Sequence, residues 1–324
     1  MSALKPVLLE RRLLPKVWGG RALERVLGMA LPAGEAIGET WELFDRPDGS
    51  SRLRGSDATL ADLMRRDATA LLGRGVAPGH GGRFPLLLKF IDAREALSVQ
   101  VHPNDAQARA EGDSGKHEAW VVVDAGPAAR IIRGLRPGVD RAEFAAKAHT
   151  ADVERMLWSF TPVAGDCIHV PAGTVHAIGP DVVVFEVQQN SDVTYRLYDW
   201  GRPREVHVQK ALAVTAHDAP RAGGDRPVTN VRPLADGGVE LVAEEHFRIR
   251  RYDLRQRHTL ATNGRFVALT ALAGRGVVGW HSGGDDLPLP IAAGDTVLVP
   301  ASIAQVFLSP IGRLDVLVSD PGEP

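Results

Sequence analysis

Apolar residues along this chain fall in short β-branched runs cut by turn residues, not in long helical stripes. Runs at residues 99–102, 119–123, 129–132, 167–170, 182–187, 247–252, 266–272, 276–280, 296–299 and 314–318 are punctuated by 34 Gly and 22 Pro distributed throughout the chain. Strands of this length and spacing predict a sandwich or barrel, because alternating βαβ units would need a helix-length segment between each pair. Two segments have helical periodicity. Asp57 is placed to cap a run through Leu60, Leu63, Met64, Leu71 and Leu72 that stops at Gly73. Asp140 is placed to cap a second region through Phe144, Val153, Met156, Leu157 and Trp158, broken near Thr150. The prediction is a mainly β protein with helical additions to its first half.

One repeat organises the chain. Gly165-Asp-Cys-Ile-His-Val-Pro-Ala-Gly-Thr-Val-His176 can be laid without gaps over Gly294-Asp-Thr-Val-Leu-Val-Pro-Ala-Ser-Ile-Ala-Gln305. Both read as Gly-Asp turn, apolar strand, Val-Pro-Ala turn and a further strand, with Pro at a strand end where a missing N–H is tolerated. Two copies imply a duplicated β-unit, not a solenoid. Residues 216–234, rich in Ala, Pro, Gly and Asp, suit a linker centred on 221–227, so the expected domains are 1–235 and 236–324.

Composition narrows the function classes. Apolar residues make up 44% of the chain, enough for a core, and 38 Lys and Arg against 40 Asp and Glu leave no basic excess for nucleic acid. The single cysteine, Cys167, excludes an intrachain disulfide and a cysteine-based metal cluster, so any metal is held by His, carboxylate or amide. No uncharged apolar stretch approaches membrane length, and charges interrupt the N-terminal apolar patches. The expectation is a cytoplasmic protein with neither membrane nor nucleic-acid partner; oligomeric state is not legible.

Strand parity selects the candidate chemistry. Gln100 and His102 lie two apart at the end of a strand closed by Pro103, so they face one side, either as half of a metal site or as polar surface. Glu118 shares a face with Trp120 and Val122. If that face is interior, the carboxylate demands a cation, Lys116 lies at the rim, and His117 points away. The opposite assignment, with His117 inside, has the same periodicity. His176 starts the strand after the Pro171-Ala-Gly173 turn. Two histidines, a glutamate and a glutamine suit Zn²⁺, with Fe²⁺ or Mn²⁺ as other occupants. His169, whose counterpart in the repeat is Leu298, is expected to be a satisfied core histidine. Arg196 suits recognition of a phosphate or paired oxygens, or else pairs with Asp192 or Asp199 on a sheet face.

Seven motifs then occur in order: Lys16-Val-Trp-Gly-Gly20, Gly38-Glu-Thr-Trp-Glu42, Phe84-Pro-Leu-Leu-Leu-Lys89, Leu97-Ser-Val-Gln-Val-His-Pro-Asn-Asp105, Lys116-His-Glu118, Val170-Pro-Ala-Gly-Thr-Val-His176 and Gln188-Gln-Asn-Ser-Asp-Val-Thr-Tyr-Arg196. Across residues 16–199, and more loosely to the end, this resembles the short bacterial form of the class I mannose-6-phosphate isomerases. The resemblance implies duplicated cupin jelly-roll barrels with one Zn²⁺ per chain in the first. It implies metal ligands at Gln100, His102, Glu118 and His176, a catalytic arginine at Arg196, and active-site positions at Lys116, Lys89 and Asp192. Gln305 in place of His176 implies that the second barrel carries no metal. Longer members have a histidine where this chain has Gly115, so no role transfers there.

The implied reaction interconverts mannose 6-phosphate and fructose 6-phosphate through an enediol. Lys116 or a metal-held water would carry the proton, and Lys89 or Arg196 would meet the phosphate. Two other readings share the ligand pattern: an iron-dependent cupin oxygenase and a non-enzymatic sugar-binding cupin.

Overall fold

A computed structural model describes residues 4–217, 228–282, 285–286 and 288–322. The centre of the expected linker, 221–227, lies outside the described residues. The first half is built from two facing sheets. A six-stranded sheet runs in the order Cys167–Val170, Glu118–Ala125, Val182–Gln189, Leu86–Ala93, Arg12–Gly20, Ile37–Leu43. A five-stranded sheet runs Leu157–Phe160, Ile131–Leu135, His176–Ile178, Val99–Val101, Tyr195–Tyr198. The two sheets form the jelly-roll core as an open sandwich and not as one hydrogen-bonded cylinder.

The strands Leu86–Ala93 and Val182–Gln189 are buried along their whole length because both faces of the six-stranded sheet are covered. Trp18, Ile91, Trp120, Val122, Ile168 and Val184 fill the space between the sheets. On the opposite face, Phe90, Ala119, Val121, Phe185 and Val187 pack with Phe247, Ile249, Phe266 and Leu317 of the second half. This is the alternation expected of a strand whose successive side chains go to opposite faces.

The second half is a nine-stranded sheet dominated by two long strands, Val267–Gly279 and Gln305–Pro321, paired along their lengths. The register shifts on either side of Gly274, which has a left-handed φ of +77° and whose added Cβ would lie 2.0 Å from the Arg313 carbonyl oxygen. Only glycine fits there, and the sheet bends at that point. The N-terminal strand Val7–Leu8 joins this sheet against Thr296–Val299, so the chain's start is stitched to its end.

The repeat is reproduced in hydrogen bonds. Gly165 donates to Val122 O and Gly294 to Ala271 O, both at 2.8 Å, and both glycines have left-handed φ. Val122 donates to Asp166 O at 2.8 Å and Ala271 to Asp295 O at 3.0 Å. The strands Cys167–Val170 and Thr296–Val299 match the predicted runs.

Three expectations need correction. The helix Leu60–Leu72 starts two residues later than Asp57 would set it, because Thr59 caps it in a reciprocal capping box with Asp62. Asp140 does cap a helix, Arg141–Lys147, but the following segment is a 3₁₀ turn, Ala151–Met156, and Leu157–Phe160 is a strand, not helix continuing to Trp158. His169 is not a satisfied core residue: it lies on the outer face of the six-stranded sheet, a quarter exposed, and its Nε2 makes no hydrogen bond. No helix among the described residues is long and apolar enough to cross a membrane.

Candidate active site

Two rows of side chains, one from each sheet, face each other across the sandwich. In the five-stranded sheet, Arg196 stands opposite Gln100, and Gln100 opposite His176. In the six-stranded sheet, Trp120 stands opposite Glu186, and Glu186 opposite Lys89. Glu118 precedes Trp120 on the same face, at the end where the strand meets the loop carrying Lys116. Directly opposed residues on neighbouring strands share a face, so register alone brings these groups together.

Glu118, His102 and His176 converge with almost no exposure. Glu118 Oε1 lies 3.2 Å from His176 Nε2, and Oε2 lies 3.5 Å from His102 Nε2 and 3.1 Å from Lys116 Nζ. Lys116 Nζ is also 3.1 Å from His102 Nε2. Gln100 Nε2 is 3.3 Å from His176 Nε2, and Ser98 Oγ donates to Gln100 Oε1 at 3.3 Å.

Each imidazole is oriented through its other nitrogen. His102 Nδ1 donates to Val193 O and His176 Nδ1 to Thr174 O, both at 2.9 Å. That fixes the tautomer and leaves both Nε2 lone pairs pointing inward, as in histidine metal ligands. Burial holds His102 well below the usual imidazole range and His176 down to about 3, so both rings are neutral. Neither carboxylate oxygen of Glu118 makes a well-directed hydrogen bond although both are buried, and Oε2 is held by the ion pair with Lys116. A buried carboxylate with no directed hydrogen bond to either oxygen, beside two inward imidazoles, fits a divalent cation, which would satisfy all of them at once. Their candidate ligand atoms lie within 4.8 Å of one another.

Parity therefore resolves as Glu118 inside and His117 outside. His117 faces the second half, where its ring meets His246 with centroids 4.7 Å apart.

A cavity of about 450 Å³ opens beside the cluster, a size suited to a small-molecule ligand. Gln100, Lys116, Lys89, Asp192 and Arg196 all line it, as do Arg12, Lys16 and Arg204. Arg196 Nη1 donates to Glu205 O at 2.6 Å while its buried Nε has no partner. Asp192 is exposed at the rim, and Arg196 is not paired with it.

Sequence reading missed a buried ion-pair chain in the cavity wall. Lys89 Nζ is 2.9 Å from Glu186 Oε1 and 3.9 Å from Glu39, while Lys16 is 3.3 Å from Glu39. Trp120 Nε1 donates to Glu186 Oε2 at 2.9 Å. Burial alone would lower the Lys89 pKa, but Glu186 and Glu39 outweigh it and hold the ammonium raised and charged. Burial likewise works against ionisation of Glu39, yet Lys89 and Lys16 bring it down to about 2. The lone acidic residue in the otherwise apolar first six residues of the strand Val182–Gln189 was the available signal for Glu186.

The family model for the phosphomannose isomerase type I catalytic domain matches residues 7–120. The chain is 30% identical to the mannose-6-phosphate isomerase of Streptococcus mutans over 98% of this chain and 99% of that protein. It is 32% identical to the mannose-6-phosphate isomerase ManA of Bacillus subtilis over 97% of each. The crystal structure of the mannose 6-phosphate isomerase from Bacillus subtilis superposes with a TM-score of 0.84 at 30% identity, covering 98% of this chain and 99% of that one. A putative mannosephosphate isomerase from Archaeoglobus fulgidus shares the fold at 21% identity and a TM-score of 0.79, covering the whole of both chains. With full-length relatives at this identity, a matching family model and a buried His–Glu cluster where the motifs lead, the chain belongs to the type I phosphomannose isomerase family of isomerases.

Proposed function

We propose that this chain interconverts mannose 6-phosphate and fructose 6-phosphate through an enediol, using one catalytic Zn²⁺ held by His102, Glu118, His176 and Gln100. The observation that carries the reading is the buried Glu118 carboxylate, ion-paired with Lys116 but without a directed hydrogen bond at either oxygen, between two neutral imidazoles at the inner end of a cationic cavity. Gln100 joins the ligand set if its amide makes a half-turn that presents Oε1, an assignment the two nearly isosteric amide orientations allow. When bound, zinc supplies Lewis-acid polarisation of the substrate's C1 and C2 oxygens.

The chain's own groups supply the rest. Lys116 Nζ, acting as the neutral amine once its proton is released, is the proposed proton carrier: it takes the proton from C2 of the aldose and returns it to C1, while the hydroxyl proton on O2 passes to O1. Its contacts with Glu118 and His102 hold Nζ at the cavity's inner end. Arg196 projects from the opposite sheet with Nε unpartnered, and offers fixed N–H donors to the oxygen that gains charge during enolisation. Lys89, locked in its ion-pair chain, contributes fixed positive charge to the wall. Asp192 bounds the mouth and is placed to meet a sugar hydroxyl. The phosphate is proposed to sit among Arg12, Lys16 and Arg204 at the cavity lining. Residues 1–235 then form the catalytic unit and 236–324 the second β-unit, which backs the six-stranded sheet.

A coupled isomerase assay on the purified protein, with and without chelator and with the metal content measured, tests this. Turnover that tracks zinc occupancy of the His102–Glu118–His176 cluster is expected. Turnover unaffected by complete metal removal would overturn it.

A further inference from the structure

We propose that His117, His169 and Glu244 form a second divalent-metal site, separate from the catalytic cluster and spanning the two halves of the molecule. It would take a borderline transition-metal dication of the zinc class.

Strand register places two of the ligands. His169 stands opposite Ala119 in the pairing of Cys167–Val170 with Glu118–Ala125. His117 lies two residues before Ala119, so both imidazoles project from the outer face of the six-stranded sheet, away from Glu118. The third comes from the other half of the chain. Glu244 follows the strand Val239–Ala243, and its Oε1 accepts the backbone N–H groups of His246 and Phe247, both at 3.1 Å. That fixes the carboxylate and leaves Oε2 directed at His117 Nδ1, 3.6 Å away, and His169 Nε2, 4.0 Å away.

Both ring nitrogens are shielded from solvent and neither makes a hydrogen bond. Orphaned buried polar atoms are uncommon and call for an explanation. Here a single one covers both. The candidate ligand atoms lie within 4.8 Å of one another. The two histidine-to-carboxylate separations are within about 0.6 Å of the roughly 3.4 Å between ligands on a tetrahedral ion with bonds of about 2.0–2.1 Å. Asp105 and Glu245 add negative potential at the cluster, partly countered by Arg133, and the His246 ring lies tilted against His117. Two imidazoles and one carboxylate suit zinc-class ions, with a fourth position for water. Since its ligands come from both halves, a bound ion would act as a staple across the seam beside Phe247.

The test uses the full-length chain, stripped with chelator and dialysed against Zn²⁺, with bound metal counted and thermal unfolding recorded with and without the ion. Wild type is expected to bind two equivalents. His169→Ala and the near-isosteric Glu244→Gln should each lose one equivalent and the associated zinc-dependent rise in Tm, with isomerase turnover unchanged. Glu118→Gln should lose the other equivalent together with turnover. Wild-type stoichiometry in both His169→Ala and Glu244→Gln would overturn the second site. If instead Glu118→Gln kept its metal and turnover while Glu244→Gln lost an equivalent, the catalytic assignment would fall and the second site would stand.

Discussion

Arg196→Ala separates chemistry from metal binding. Arg196 shares a row with Gln100 and His176 yet offers no ligand atom, since a guanidinium has donors only. Among the described residues its side chain makes one hydrogen bond, Nη1 to Glu205 O at 2.6 Å, which joins it to a nearby loop. Deleting the side chain therefore costs about 1 kcal/mol of stability at most and leaves the backbone bond from Arg196 N to His207 Nδ1 in place. The catalytic cost is larger. Loss of one preorganised donor to a developing oxyanion is worth roughly 10²- to 10³-fold in kcat, or about 2.7–4 kcal/mol. The assay is steady-state isomerase kinetics alongside metal analysis and thermal unfolding. The expected result is a fall of that size in kcat, zinc still at one catalytic equivalent, and a nearly unchanged Tm. Arg196→Lys keeps the charge but loses the planar fork, so it should recover only part of the rate. Near-wild-type turnover in Arg196→Ala would remove this residue from the mechanism. Loss of metal together with activity would show that its role is structural.

Three further outcomes follow from the same geometry. Chelation should abolish turnover, and Zn²⁺ should restore it, because the apolar layers between and behind the sheets do not depend on the ion; unfolding on chelation, seen by circular dichroism, would contradict this. Thr59→Ala removes the capping box of the helix Leu60–Leu72 and should cost about 1 kcal/mol in urea unfolding with no change in kcat. Burial pushes buried Glu42 up to about 7, against the opposing pull of Arg11 and Thr40, from an ordinary value near 4.5. Its contribution is thus fully present below about pH 4.5 and is lost as pH rises through 7, an effect of up to about 3 kcal/mol. Glu42→Gln should flatten the pH dependence of stability between pH 5 and 8, and identical profiles for the two proteins would refute the assignment.

What could be read from the chain was what depends on local periodicity. Glu118, Trp120 and Val122 share a face because a strand alternates, and a carboxylate on an apolar face marks a site. The pairing of Val7–Leu8 with Thr296–Val299 was not legible, since a two-residue strand has no pattern and its partner lies at the far end of the chain. The Lys89–Glu186–Glu39 chain was hidden for a related reason: it exists only through cross-strand register, which no single segment encodes. Asp57 and Thr59 are both competent caps, and the choice fell to Thr59 because Asp62 stands three residues on. His169 was misjudged because its counterpart Leu298 is buried, whereas the strand Cys167–Val170 has its outer face at a polar seam.

The duplicated unit shows how a fold and a site can part company. Both copies keep the Gly-Asp turn with its left-handed glycine and matched backbone bonds, because the chain path depends on them. The position equivalent to His176 does not determine that path. In the first copy it starts a strand between two others and points into the sandwich, where Thr174 O fixes its tautomer. In the second copy Gln305 is exposed at the start of a long strand whose neighbour there is the short Ala261 end of His258–Ala261. A histidine at 305 would meet water with Ala261 as its cross-strand neighbour, so the identity of that one residue is not what confines the His–Glu cluster to the first unit. What the first unit adds is the six-stranded sheet facing His176, which brings Glu118 to within 3.2 Å of its Nε2 and buries the carboxylate.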